Sequence, residues 1–382
     1  MTESRAYVPE HPQQITPEWL GEVLDRPVLR VAQRDLGEGV GFMGDILHLD
    51  VEVGGDATPH ESLQMVAKLP KKENRVMGEM LGVYEREIMF FDTFGAELPI
   101  RAPRKIYSFF DRDSGSEKQA EILALLDRLP RFMSGLITAV GRKVAGAKDR
   151  RYMLIIEYLN GFAPGDQLAG LDLKRAQQVL KAIAPLHRHF WGGDRLSGHF
   201  WLLPYDLDAR MRHGIYLSSV SRYQKLLGDE VAPQLRWLEK HGVELVRAFC
   251  RDAPHTMMHC DLRLDNVLFG AEECAFIDFQ LVRRGPAAYD VAYFVTSAVR
   301  EDVSAVDRLG LLRAYHEALN TDYPFADLKR DYDRALMIVL AGLSSADDVE
   351  TGNERGSAMM SAWRRRLVAA VRDIDPDTLL RS

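Results

Sequence analysis

The stretch HCDLRLDNVLFGAEECAFIDFQ, residues 259–280, sets four polar groups, His259, Asp261, Asn266 and Asp278, at the ends of short apolar runs. VLF (267–269) and AFI (275–277) read as two short strands around the turn GAEEC. Closing that hairpin places its ends, Asn266 and Asp278, about one strand spacing apart, ~5 Å. Two oxygen donors at that separation suit one Mg2+. Such an ion takes one or two carboxylates and fills its other positions with phosphate and water. Asp261 lies on the loop leading in, where it faces the same ion from the other side and is free to accept a proton. A metal pair of His259 with Cys260 does not fit, because neighbours on an extended loop point apart. His259 reads as a packing and hydrogen-bonding residue of the loop.

Upstream of this stretch the pattern is strand-rich. ITPEWLGEVL opens a helix, with Thr16 as cap, Pro17 in the first turn and Glu18 at the positive end. The glycine-rich GEGVGFMG (37–44) precedes DILHLDVEV, which alternates as a strand, and GGDATPHES is a turn. LQMVAKLP is the next strand, with Lys68 near its end. Met77, Met80, Leu81, Tyr84, Ile88 and Phe91 predict one helix over 75–93 with a single buried face. Glu87 falls on that face and Glu85 does not. A carboxylate on an apolar stripe requires a cationic partner.

RKIYSFF (104–110) and RYMLIIEYL are further strands, and 117–148 between them reads as two helices. From about Leu171 onward helical patterns dominate, apart from the opening stretch. The expected division is a strand-rich lobe, 1–158, carrying a helical insertion at about 112–150, and a helical lobe, 159–382.

Bulk composition fits a soluble globular chain, 46% hydrophobic and 27% charged. The formal charge of −7 argues against a nucleic-acid protein, which would carry a basic face. No run approaches the ~18–20 apolar residues of a spanning helix, so no membrane partner is expected. The start shows no secretory signal. Cys250, Cys260 and Cys274 lack zinc or disulfide spacing, and a cytoplasmic location is expected.

HCDLRLDN and IDFQ match H-x-D-x-x-x-x-N and D-F-x, so the chain resembles the protein kinases and their small-molecule relatives. The hinge-like IIEYL, the strand lysine of VAKLP and the helix glutamate of EREIMFF stand in the corresponding order. D-F-Q, HRHFW and GPAAYDVAYF are more similar to the aminoglycoside phosphotransferase and choline kinase-like group, closest to its ecdysteroid 22-kinase-like branch. The resemblance spans roughly residues 30 to 340. It implies an α+β, bilobal protein kinase-like fold, with an antiparallel sheet plus helix first and a mainly helical lobe second.

The resemblance also implies roles. Asp261 would be the catalytic base, and Asn266 and Asp278 would hold Mg2+. Lys68 would contact the α- and β-phosphates of ATP, or of GTP, with Glu87 holding Lys68. Backbone groups of Glu157, Tyr158 and Leu159 would receive adenine. The implied reaction moves a γ-phosphoryl group to the hydroxyl of a small molecule. Candidate acceptors are an aminoglycoside or other antibiotic, an amino alcohol or sugar, and a hydrophobic alcohol such as a steroid.

Four departures bear on this. Arg263 stands where protein kinases have lysine, and a guanidinium can grip phosphoryl oxygens with two donors. Gln280 replaces the glycine of D-F-G, which predicts a less mobile metal loop. An activation segment and A-P-E are missing, against a protein kinase. The insertion at 112–150 could cover the nucleotide cleft, shape an acceptor pocket or form a dimer face.

Plainer readings stand beside these. Lys68 could be a solvated strand end, with Lys71 and Lys72 close by. Glu87 could pair with Arg101 or Arg104. Gly37, Gly39, Gly41 and Gly44 could make a hairpin turn rather than a phosphate cover. Asp290 could support the catalytic loop or simply suit a first helical turn. His187 reads as a satisfied core residue, and Asp206, Asp208 and ADDVE (346–350) as a solvated acidic face. A nucleotide-binding sensor without chemistry remains a rival to the kinase.

Overall fold

The computed structural model describes residues 7–36, 44–55, 58–72, 74–112, 119–128, 150–346 and 354–381. The chain divides into two compact units. Unit 1 comprises Met1–Leu98, Ala102–Ser116 and Gly135–Gly161, and unit 2 comprises Pro99–Arg101, Glu117–Ser134 and Phe162–Ser382.

Unit 1 is built on an antiparallel sheet of five strands in the order β1-β2-β3-β5-β4. These are β1 (Val28–Asp35), β2 (Gly44–Gly55), β3 (Thr58–Pro70), β4 (Lys105–Phe110) and β5 (Tyr152–Glu157). In β2 the period-2 pattern buries Leu47, Leu49, Val51 and Val53 while Asp50 and Glu52 face water. These residues share a core with Met65, Ala67 and Leu69 of β3, Met153 and Ile155 of β5, and Trp19 and Leu20. The last two come from α1 (Pro17–Leu24), whose N-cap Thr16 accepts from the Trp19 N–H. The register sets Lys68 of β3 opposite Ile46 on one side and Leu154 on the other. β2 and β3 run further toward each other than expected, so most of GGDATPHES is strand rather than turn.

The single helix expected over 75–93 is two. α2 (Arg75–Leu81) ends at Gly82, and α3 (Val83–Phe94) restarts there. Gly82 has φ 64°, the left-handed region, and its N–H donates to Glu79 O. Met77 and Leu81, before the break, are exposed although they share a 3.6-residue stripe with Tyr84 and Ile88 after it. Glu85, expected off the buried face, is buried and pairs with Arg150.

Unit 2 is mainly helical. Its long helices are Leu173–His189, Ala209–Leu227, Ala232–Asp252, Ala305–Leu319, Phe325–Ala346 and Glu354–Val371. Three short antiparallel pairings position the loops: β7 (His255–Met258) with β10 (Arg283–Pro286), and β8 (Val267–Phe269) with both β6 (Ala163–Pro164) and β9 (Cys274–Phe276). Of the insertion, Gln119–Arg128 is helical, and residues 129–149 lie outside the described set. Asp127 of this helix accepts from Arg210 N and Met211 N at 2.7 and 3.0 Å, capping the helix Ala209–Leu227.

Asp208 is not on a solvated face. It is buried and holds Arg283 through two bonds of 2.9 Å, with Arg212 Nε at 3.0 Å. Burial works against its charge, but Arg212 and Arg283 outweigh that and hold the carboxyl well below the usual range. ADDVE falls almost wholly outside the described residues. No helix among the described residues is long and apolar enough to cross a membrane.

Replacing Gly82 by Ala places a Cβ in the left-handed region, and the expected loss is about 1–2 kcal/mol of unfolding free energy. A shift of the urea midpoint to lower concentration checks this.

Candidate active site

The residues singled out in the sequence fall into two groups, one in each unit. In unit 1, Lys68 Nζ meets Glu87 Oε1 at 2.6 Å. Arg104 pairs with Glu157 instead, and Arg101 belongs to unit 2. Backbone groups at 157–159 are already engaged: Glu157 N–H donates to Arg104 O at 2.8 Å, Tyr158 N–H donates to Gln64 O at 3.3 Å, and Tyr158 O accepts from Asn160 N at 3.0 Å. Gly37, Gly39 and Gly41 lie outside the described residues.

In unit 2 the loop after β7 brings Asp261, Arg263 and Asn266 together. Asn266 Nδ2 donates to Asp261 Oδ2 and to Asp261 O, both at 2.9 Å. With its nitrogen turned to Asp261, the amide keeps its oxygen for another partner. Arg263 Nε lies 3.5 Å from Asp261 Oδ2, and Nη1 reaches Asp265 Oδ2 at 3.2 Å. Burial opposes the Arg263 charge, but the fields of Asp261, Asp265 and Asp278 outweigh it, so its pKa is raised and the guanidinium stays protonated. Its buried Nε–H makes no hydrogen bond.

Asp278 departs from the hairpin reading by one place. Val267 pairs with Phe276, so Ile277 stands opposite Asn266 and donates to Asn266 O at 3.1 Å. Asp278 follows with φ 67°. The left-handed residue of this loop is therefore the aspartate itself, a type that tolerates that region. Gln280 does not need the missing glycine's freedom, and its Nε2 donates to Asp278 Oδ2 at 3.2 Å.

The loop is held from below by Asp290, which is wholly buried. Its Oδ2 accepts from His259 N at 2.6 Å and faces His187 Nε2 at 3.1 Å, and its Oδ1 accepts from Cys260 N at 2.9 Å. His187 Nδ1 in turn meets Tyr315 Oη at 2.7 Å, which satisfies both ring nitrogens. Cys260, whose own amide is one of the two anchored and which immediately precedes Asp261, has φ 64°. The His259 ring bridges Ile277 O at 3.0 Å and Asp261 N at 3.3 Å, tying the loop to the hairpin. Buried Gln167 adds another tie by accepting from Leu264 N at 2.9 Å.

Two partners were not singled out from sequence. One is Gln167. The other is Tyr293, whose hydroxyl donates to Asp261 Oδ1 at 2.8 Å. Burial, and then the Asp261 charge, push the Tyr293 phenol well above its ordinary pKa, so it remains a donor. Its signal was present in GPAAYDVAYF: Tyr293 is three residues after Asp290 on the helix Ala288–Ala298 and shares a face with it.

A family model described as "Phosphotransferase enzyme family" matches residues 110–328, more than half of the chain. The chain belongs to the phosphotransferase enzyme family. The match spans the 259–280 stretch, Asp290 and Tyr293, and leaves Lys68 and Glu87 outside it. Comparison with curated proteins gave no match.

Solved structures of this fold include a gentamicin complex of APH(2'')-IIa, 12% identical, with 96% of this chain and 100% of that chain covered and a TM-score of 0.50. A GDP complex of an aminoglycoside 2'-phosphotransferase-IIIa mutant is 13% identical, with 89% and 91% covered and a TM-score of 0.51. A choline kinase from Cryptosporidium parvum Iowa II is 12% identical, with 92% of each chain covered and a TM-score of 0.49. At these identities the first two establish the fold: an antiparallel sheet in the N-terminal part and a helical C-terminal part, the protein kinase-like class expected above.

Asp290→Ala leaves three donors without their buried carboxylate and is expected to cost about 3–5 kcal/mol of stability. Urea unfolding of the phosphotransferase and this variant measures it.

Proposed function

We propose that this phosphotransferase moves the γ-phosphoryl group of ATP, or of GTP, to a hydroxyl of a small molecule. The observation that carries the reading is the arrangement around Asp261: an amide turned to present its oxygen outward, a protonated guanidinium and Asp278, clustered on one loop and hairpin. Three carboxylates, Asp261, Asp265 and Asp278, act on a single guanidinium there. The net charge is negative, which draws a divalent cation and repels a bare triphosphate.

Asn266 Oδ1 and the Asp278 carboxylate suit a hard cation. Among the described residues no group of three or more His, Cys, Asp or Glu could hold a metal ion. A Mg2+ here would therefore complete its shell with phosphate and water. When bound, it would supply charge neutralisation on the triphosphate. Asp261 would accept the acceptor's O–H proton as the new O–P bond forms and the bond to the leaving diphosphate breaks. Arg263, protonated and beside Asp261, would bind oxygens of the transferring group. Lys68, held by Glu87, would contact the α- and β-phosphates. Backbone groups of Glu157, Tyr158 and Leu159 would receive the base; the N–H groups of Glu157 and Tyr158 are engaged, and Tyr158 O, which accepts from Asn160 N at 3.0 Å, keeps a second lone pair. Gly37, Gly39 and Gly41 would cover the phosphates. In this reading 1–158 serves the nucleotide and 159–382 the chemistry and the acceptor.

For the acceptor, Asp208 is unsuited to a cationic substrate because Arg283 and Arg212 already hold it. That supports a neutral or hydrophobic alcohol, in keeping with the ecdysteroid 22-kinase-like features of the D-F-Q motif, over an aminoglycoside. The free, buried Cys250, Cys260 and Cys274 suit the cytoplasm.

The test is ADP release with Mg·ATP against pools of aminoglycosides, macrolides, sugars, amino alcohols and sterols. The native protein should give ADP and a phosphorylated product with one pool. Asp261→Asn should lose about a thousandfold in turnover while binding Mg·ATP as before. Binding of Mg·ATP with no turnover in any pool would favour the sensor reading. Arg263→Ala should lower kcat more than nucleotide affinity if the guanidinium acts in the transition state. An equal loss in both would make it an ordinary binding residue.

A further inference from the structure

Asp261 is gripped at both oxygens. Asn266 Nδ2 holds Oδ2 at 2.9 Å, and Tyr293 Oη holds Oδ1 at 2.8 Å. The torsion that turns an aspartate carboxyl about its last bond is intrinsically broad. One donor leaves that rotation largely open, whereas donors on opposite oxygens fix the carboxyl plane. Asn266 comes from the same loop as Asp261 and moves with it. Tyr293 comes from the helix Ala288–Ala298, whose Asp290 also anchors the loop backbone at His259 and Cys260.

The Tyr293 ring is itself well held. Trp363 packs edge-on with centroids 5.2 Å apart and an interplanar angle of 78°, and Tyr289 lies 5.8 Å away on the other contact. One helix thus sets both the height of the loop, through Asp290, and the angle of the carboxylate, through Tyr293. Two lone-pair positions per oxygen leave Oδ1 able to accept a second hydrogen bond beside the phenol.

We infer that Tyr293 is a positioning residue for the phosphotransfer: its hydroxyl fixes the Asp261 carboxylate so that a free lone pair meets the acceptor hydroxyl. This rests on Asp261 acting as the base. Tyr293 touches neither the nucleotide nor the acceptor in this role; it acts through Asp261. If the bond merely satisfied the buried phenol O–H, removing that hydroxyl would leave the rate alone.

The experiment is a double-mutant cycle of Tyr293→Phe and Asp261→Asn, read by ADP release with the acceptor found in the pools and by thermal melting. Phenylalanine keeps the ring between Trp363 and Tyr289. Tyr293→Phe should lower kcat about tenfold, equivalent to ~1.4 kcal/mol, with KM for Mg·ATP and the melting temperature unchanged. In the Asp261→Asn background the same substitution should change the residual rate less than about twofold, since no carboxylate remains to aim.

Unchanged kcat in Tyr293→Phe, with Asp261→Asn inactive, overturns the inference and leaves the base assignment standing. A rise in kcat also overturns it, because the phenol would then be competing with the acceptor for Oδ1. Full activity in Asp261→Asn, or no turnover by the native protein, overturns the base assignment and this inference together. Equal fractional losses in both backgrounds would make Tyr293 a structural residue only.

Discussion

Asp290 places one buried carboxylate under three donors, two of them consecutive backbone amides of the loop that carries Asp261. Taking a lone carboxylate out of water costs several kcal/mol. Hydrogen bonds from His259 N, Cys260 N and His187 Nε2 offset that cost and make the anion a fixed point. The loop then adopts a shape it would not choose locally, since Cys260 occupies the left-handed region without being glycine. The position of Asp261 is therefore set by a residue about thirty positions later in the chain.

The charged pairs of the two units differ in what surrounds them. Lys68 and Glu87 meet at 2.6 Å with the lysine side chain partly accessible, at 17%. That suits a cation kept in place yet available to an incoming anion. Asp208 is itself buried, and its pairing with Arg212 and Arg283 ties the helix Ala209–Leu227 to strand β10. Arg263 is intermediate. It is mostly buried among carboxylates, and its Nε–H remains without a hydrogen bond. That nitrogen still faces Asp261 Oδ2 at 3.5 Å, an ion pair that offsets part of the cost of burying it.

Local pattern read well where one residue's neighbours along the chain decide its state. The alternation of β2 and β3, the Thr16 cap and the hairpin of β8 and β9 all come from periodicity and turn chemistry. It read less well where a distant group intervenes. Gly82 breaks a stripe whose spacing runs straight through it, because a left-handed glycine satisfies helix ends that apolar spacing does not register. Glu85 lies off the stripe yet is buried, because Arg150 comes to it from a distant part of the chain. Asp208 carries no mark that separates it from a solvated acid until Arg283 is brought beside it.

The hairpin reading of residues 259–280 was enough to name Asp261, Asn266 and Asp278 as a group, and the family resemblance added Arg263. Which atom faces which was another matter. The hairpin register moved Asp278 one place past Asn266, and the amide of Asn266 turned to Asp261. Tyr293 and Gln167 reached the loop from separate elements. Such contacts depend on how helices stack in three dimensions, and packing leaves no fixed interval in the chain from which to read them.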